Sequence, residues 1–86
     1  MAVNLDINSV EELGGVVRYH RKQANLSRVA LAEIAGVGKT VIYDVEKGKT
    51  TIQLNTLLKI FHVLNISFHM NSPLMPLYKE TKDAKS

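Results

Sequence analysis

Two glycines, Gly36 and Gly48, each close a short run that reads as a helix, and together they leave this chain few ways to fold. Glycine reaches positive φ without the steric penalty other residues meet, so it ends a helix and lets the chain reverse. The run LSRVALAEIA before Gly36 is rich in alanine, carries only isolated β-branched residues and reads as a short helix. Ser27 is its N-cap, and Leu31, Ile34 and Ala35 form its expected buried side. A further helix runs from about Lys39 to Glu46 and stops at Gly48. At about 100° per residue, Tyr43, Asp44 and Lys47 fall within roughly 60° of Thr40, with Ile42 and Val45 on the opposite side. One face of this segment is apolar, and the other carries hydrogen-bonding groups.

The intervening GVGKT raises the question of a phosphate-binding loop. That motif needs another glycine five residues before Gly38, where this chain has Glu33, and a β-strand feeding the loop. A carboxylate at that position repels phosphate, and the preceding residues are helical, so GVGKT reads as a turn. With 86 residues the chain is one domain with little room for a catalytic cavity, and no enzyme activity is expected. It has no cysteine, so an ordinary core or a partner subunit must supply stability, as suits a reducing cytoplasm. No basic leader and no membrane-length apolar window occurs, and a cytoplasmic, nucleoid-associated location is expected. The net charge is +3, and Arg18, Arg21, Lys22, Arg28, Lys39, Lys47 and Lys49 concentrate the positive residues mid-chain.

Ser9 and Glu12 form a capping box for a first helix, whose inward stripe is Leu13, Val17, Arg21 and Ala24. A fourth helix carries Leu54, Leu57, Leu58, Phe61 and Leu64 as its apolar arc and ends at Asn65, with Val63 outside the arc. ISFHM, residues 66–70, alternates at period two and suggests a strand. Its partner is either residues 3–7, which also alternate, or the same segment of a second subunit. From residue 71 the chain is proline-punctuated and then polar, a flexible tail by composition. The expected organisation is an arm at 1–8, a folded domain at 9–70 and a tail at 71–86.

Two short helices joined by a tight glycine turn, the second polar on its outer face, make a helix-turn-helix whose second helix fits the major groove. The run L-S-R-x-x-L-A-x-x-A-G-V-G-x-x-x-I-x-x-V-E-K-G, residues 26–48, resembles the Cro/C1 phage-repressor, or xenobiotic-response-element, class. Ala32, Gly36, Ile42, Glu46 and Gly48 stand in register with that class, and the likeness extends from residue 13 to about 64. With a strand directly after the fourth helix, the chain looks most like the HipB-type antitoxins. That resemblance implies a mainly α repressor-like domain of four to five helices. It also implies a short C-terminal strand paired across a homodimer, repression of its own operon, and a kinase-like toxin as partner. Dimer contacts would fall on Val63, Ile66, Phe68 and Met70.

The class also implies that Arg21 pairs with Glu46, which agrees with the cost of burying a guanidinium that no carboxylate meets; the alternative is that Arg21 snorkels to solvent. DNA contacts map by the same resemblance onto Ser27, Arg28, Lys39, Thr40, Tyr43 and Asp44. Ser27 and Arg28 suit a phosphate at a helix N-terminus, Lys39 a guanine, Thr40 a base or a thymine methyl, and Asp44 a cytosine N4. Lys47 and Lys49 suit the backbone. Arg28 stands where the class usually has Gln, and Gly38 where it has Ser or Thr, which weakens the recognition helix's N-cap. The plain alternative for this polar face is a solvated helix surface. His20, His62 and His69 lack ligand spacing, so neither a metal nor a cofactor is expected. The leading reading is a sequence-specific repressor and antitoxin acting on palindromic double-stranded operator DNA. The alternatives are a stand-alone repressor without a toxin and a protein-interaction module that binds no DNA.

Overall fold

A computed structural model describes residues 10–69 and 72–85 of the chain, with side chains for 11–69 and 72–80. Among these residues lie five helices: α1 (Val10–Gln23), α2 (Arg28–Ala35), α3 (Lys39–Glu46), α4 (Leu54–Val63) and α5 (Met75–Lys85). The first four end alike. One or two residues past each, the chain takes a left-handed conformation, Asn25 at φ 57°, Gly36 at 73°, Gly48 at 84° and Asn65 at 59°. The next N–H then folds back onto a helix carbonyl: Leu26 to Arg21 at 3.2 Å, Val37 to Ala32 at 3.0 Å, Lys49 to Asp44 at 3.0 Å, and Ile66 to Phe61 at 2.9 Å. This closure satisfies carbonyls that a helix end otherwise leaves without a partner, and it fixes the direction in which the chain departs.

At the other end of α2, the Ser27 hydroxyl accepts the Ala30 N–H at 3.0 Å. Gly38 stands at the same place before α3 and has no side chain to do this. Ser9 and residues 1–8, including the alternating segment 3–7, lie outside the described residues.

The core is a single cluster of Val17 from α1, Leu31 and Ala32 from α2, Ile42 and Val45 from α3, and Ile60, Phe61 and Leu64 from α4. α2 packs on α3 and α4, and α1 packs on α3. The α1–α3 crossing is unusually close at Gly14, where a Cβ would stand 2.5 Å from the Val45 carbonyl oxygen and 2.9 Å from that of Glu46. Only a residue without a side chain lets the two backbones approach so far.

Several expectations need correction. Ile34 is 60% exposed, because α2 turns Leu31 and Ala32 inward instead. On α4 the buried arc is Leu57, Ile60, Phe61 and Leu64, while Leu54 and Leu58 face outward at 59% and 43% exposure. The run LNTLLKIFHVL is apolar at so many positions that periodicity alone leaves the phase of its arc open, and packing decides it. In the single chain residues 66–69 have no strand pairing, and the pairing expected across a dimer calls for the second subunit. A strand needs a ladder partner, and the described part of a single chain supplies none. Ile66 folds back onto the core, and Phe68 leans on Phe61 with ring centroids 6.0 Å apart; Met70 is outside the described residues. The segment assigned by composition to a flexible tail contains α5. Too polar to build its own core, it still has the Lys, Glu and Ala that favour a helix, with Pro76 tolerated in the first turn.

Candidate nucleic-acid interface

The outward side of α3 carries Lys39, Thr40 and Tyr43, all exposed, with Asp44 at its margin and Lys47 just past the last turn. Behind them Ile42 and Val45 are 0% and 2% exposed, so the polar face is anchored to the core at every turn. Within GVGKT, residues 36–38 are the turn between α2 and α3 and Lys39 and Thr40 open α3; the turn follows a helix, which removes the strand that a phosphate loop requires.

One carboxylate organises the underside of this surface. Glu46 has a side chain only 2% exposed, and it accepts the Nε–H of Arg21 at 2.6 Å and the Nη2–H of the same guanidinium at 3.1 Å. Arg21 gives a third bond, from Nη1 to the Leu26 carbonyl at 2.9 Å. The buried cation is therefore met on every nitrogen, as a guanidinium withdrawn from water must be. These contacts join the end of α1, the entry to α2 and the end of α3.

Arg28 also reaches Glu46, its Nε standing 3.3 Å from Oε1. Its side chain is 41% exposed, so the contact leaves much of the guanidinium in solvent. Arg28 and Lys47 both lie over the ring of Tyr43, at 5.5 Å and 5.4 Å from its centroid. Asp44 pairs with Lys49 at 3.5 Å. An exposed pair of this kind contributes little to stability, but it neutralises a carboxylate on a surface otherwise dominated by cations.

The structure thus brings Arg21 to Glu46 and sets Arg28, Lys39, Thr40, Tyr43, Asp44, Lys47 and Lys49 on one side of the helix pair. Ser27 is occupied as a cap. Val63 and Ile66 are half buried against the chain's own core, and Phe68 is 53% exposed. Three features escaped sequence reasoning: the second partner of Glu46, the two cations around Tyr43, and the close approach at Gly14. Arginine in place of a neutral residue at 28, the four-residue spacing of Tyr43 and Lys47, and a glycine inside a helical stripe were the available signals. Among the described residues no cluster of His, Asp and Glu could hold a metal ion, and no helix is long and apolar enough to cross a membrane.

The Helix-turn-helix family profile matches residues 17–70, spanning α1 to α4 and the segment after it. The chain belongs to the Cro/C1-type helix-turn-helix family. As a member it is a DNA-binding transcriptional regulator, and the family's proteins are not enzymes. It is 37% identical over 67 residues to the HTH-type transcriptional regulator y4mF of Sinorhizobium fredii, covering 78% of this chain and 88% of the relative. It is 38% identical over 63 residues to the control protein C.SmaI of Serratia marcescens, covering 73% of each. Among solved structures, a chain of a HipA-HipB-O2-O3 complex superposes with a TM-score of 0.73 at 23% identity, covering 81% of this chain and 99% of the other. The restriction-modification controller protein C.AhdI of Aeromonas hydrophila superposes with a TM-score of 0.62 at 28% identity, covering 67% and 88%. The helix-turn-helix fold is thus shared with a chain of the HipA-HipB complex and with a restriction-modification controller protein.

Proposed function

We propose that the chain is a dimeric repressor that reads two-fold symmetric operator DNA with the outward face of α3 and serves as the antitoxin of a kinase-like toxin. The observation that carries the DNA-reading part is the fixed polar face over a buried arginine–carboxylate brace. Lys39 and Thr40 stand exposed where an inserted helix meets base edges. Ser27 and Arg28 at the start of α2, with Lys47 and Lys49 beyond α3, flank that face and suit phosphates. Asp44 would accept from a cytosine N4 once Lys49 turns to the backbone. Val63, Ile66, Phe68 and Met70 are assigned to the contact between subunits. Phe68 supplies exposed apolar area there, and paired strands from two subunits would satisfy each other's open edges.

The antitoxin assignment is supported by the fold shared with the HipA–HipB complex. A second reading, a regulator acting without a toxin, is favoured by the relatives C.SmaI and C.AhdI, which are control proteins. Gel shifts on the protein's own promoter across a salt series test DNA reading, because phosphate contacts make affinity fall steeply with salt. Binding absent at low salt would exclude it. Light scattering that gives a monomer at tens of micromolar would exclude the dimer. Co-purification of a kinase-like neighbour-gene product would separate antitoxin from stand-alone regulator.

A further inference from the structure

Tyr43 has an unusual position on the exposed face of α3. It is 48% exposed, yet two cations from different parts of the fold lie over its ring, Arg28 from the first turn of α2 at 5.5 Å and Lys47 from just past α3 at 5.4 Å. Aromatic rings attract cations through the negative potential of their faces, and a ring with two such neighbours limits the positions each can take. Arg28 is restrained from a second direction, since its Nε is directed at the buried Glu46 carboxylate. Nε is the Arg28 nitrogen so held. The side chain is 41% exposed and only Nε is engaged by Glu46, so the terminal nitrogens can meet a ligand without surrendering that contact.

We infer that Tyr43 is a positioning residue: its ring, together with Glu46, presets Arg28 and Lys47 as a paired cation site for DNA phosphates, and the tyrosine hydroxyl reads no base. The inference rests on the DNA-binding reading above and specifies how one side of that surface works. A long flexible cation loses side-chain entropy when it is fixed against a phosphate, and prior restraint by the ring reduces that loss. The arginine that replaces the family's usual glutamine at 28 acts here as half of a pair, with the aromatic ring as the common support.

The test is operator binding by the full chain carrying Tyr43→Leu or Tyr43→Phe, measured over a salt series, with unfolding midpoints to show that each variant folds. The leucine variant should bind about fivefold or more weakly than the parent, and the dependence of log K on log salt should become shallower by about one, the signature of a lost phosphate contact. Phenylalanine keeps the ring face and should restore most of that loss. In a double-mutant cycle, Tyr43→Leu should cost much less once Lys47→Ala is present, because the ring then has one cation fewer to position. The inference is overturned if phenylalanine binds as weakly as leucine, which would assign the effect to the hydroxyl. It is equally overturned if leucine weakens binding with the salt slope unchanged, if leucine has no effect, or if the two substitutions simply add. The parent protein distinguishes the two levels: no salt-sensitive binding by the parent overturns the DNA reading and this inference with it, whereas normal parent binding with any of the adverse variant results overturns the inference alone.

Discussion

Replacing Glu46 with glutamine should be among the most damaging single substitutions in this chain. Glutamine keeps the shape of the side chain but removes its charge and exchanges one acceptor oxygen for a donor amide. At that site the carboxylate receives Arg21 Nε–H at 2.6 Å, Arg21 Nη2–H at 3.1 Å and Arg28 Nε–H at 3.3 Å, within a side chain 2% exposed. The amide would turn a donor toward donors, and Arg21, its side chain 8% exposed, would keep its charge with no carboxylate to meet it. Breaking a buried pair in this manner costs about 3–5 kcal/mol. A domain of 86 residues, at roughly 0.05–0.15 kcal/mol per residue, has a total stability of about 4–13 kcal/mol. The loss is thus about a quarter of the whole or more. At about 4–8 °C per kcal/mol for a domain of this size, the midpoint should fall by more than about 12 °C. Circular dichroism against temperature and urea, at one fixed protein concentration so that any self-association contributes equally, measures it. A loss below about 1 kcal/mol would refute the argument, for it would mean that Arg21 finds water or another acceptor when its partner is removed. The paired replacement Arg21→Met with Glu46→Leu gives the complementary check. It removes both charges together and should be less harmful than Glu46→Gln alone, because a well-packed apolar pair often matches a buried ion pair in stability.

Other consequences are open to the same measurements. Gly14→Ala gains about 1 kcal/mol of helix propensity but drives a methyl to 2.5 Å from the Val45 carbonyl oxygen, an overpacking that costs about 1–3 kcal/mol, so a net loss of up to about 2 kcal/mol is expected in urea unfolding; a stabilised variant would show that α1 and α3 do not cross so closely. Ser27→Ala removes the cap on Ala30 N–H and should cost about 1 kcal/mol, whereas Gly38→Ser adds the cap that α3 lacks and should gain a few tenths; reversal of either sign would contradict the cap assignments. Lys39→Ala combined with Thr40→Ala, both at exposed positions, should leave the unfolding midpoint in place while weakening operator binding by about tenfold or more; unchanged affinity would remove α3 as the reading helix.

The elements legible in the sequence were those governed by one local rule. The bounds of α2 and α3 follow from a serine cap and two glycines at positive φ, each a property of a few adjacent residues. The apolar side of α3 was legible for the same reason, since its polar and apolar residues separate cleanly around the helix. α4 was not, because Leu54, Leu57, Leu58, Ile60, Phe61, Val63 and Leu64 nearly encircle it, and only the location of α2 decides which of them are buried. The strand expected at 66–70 and the tail expected after it depended on composition and alternation. Alternation cannot tell a paired strand from a connecting segment whose Ile66 turns back to the core.

At the interface the division is sharper, and it has a physical cause. Arg21 and Glu46 were legible as partners because a charge on an inward stripe demands a countercharge, and the family resemblance named it. Nothing comparable announces that Arg28 shares the same carboxylate, since an arginine at the start of α2 satisfies its charge equally well in water. Its position depends on the angle between α2 and α3, which the Gly36 turn, the core side chains and the Arg21 brace set together. The same angle brings Tyr43 beneath Arg28. The arrangement of the exposed cations is therefore a tertiary property of residues whose burial is decided elsewhere. Disturbing the brace at Glu46 should alter DNA affinity even in molecules that remain folded, through Arg28 and Tyr43, while leaving Lys39 and Thr40 at the far end of α3 comparatively undisturbed.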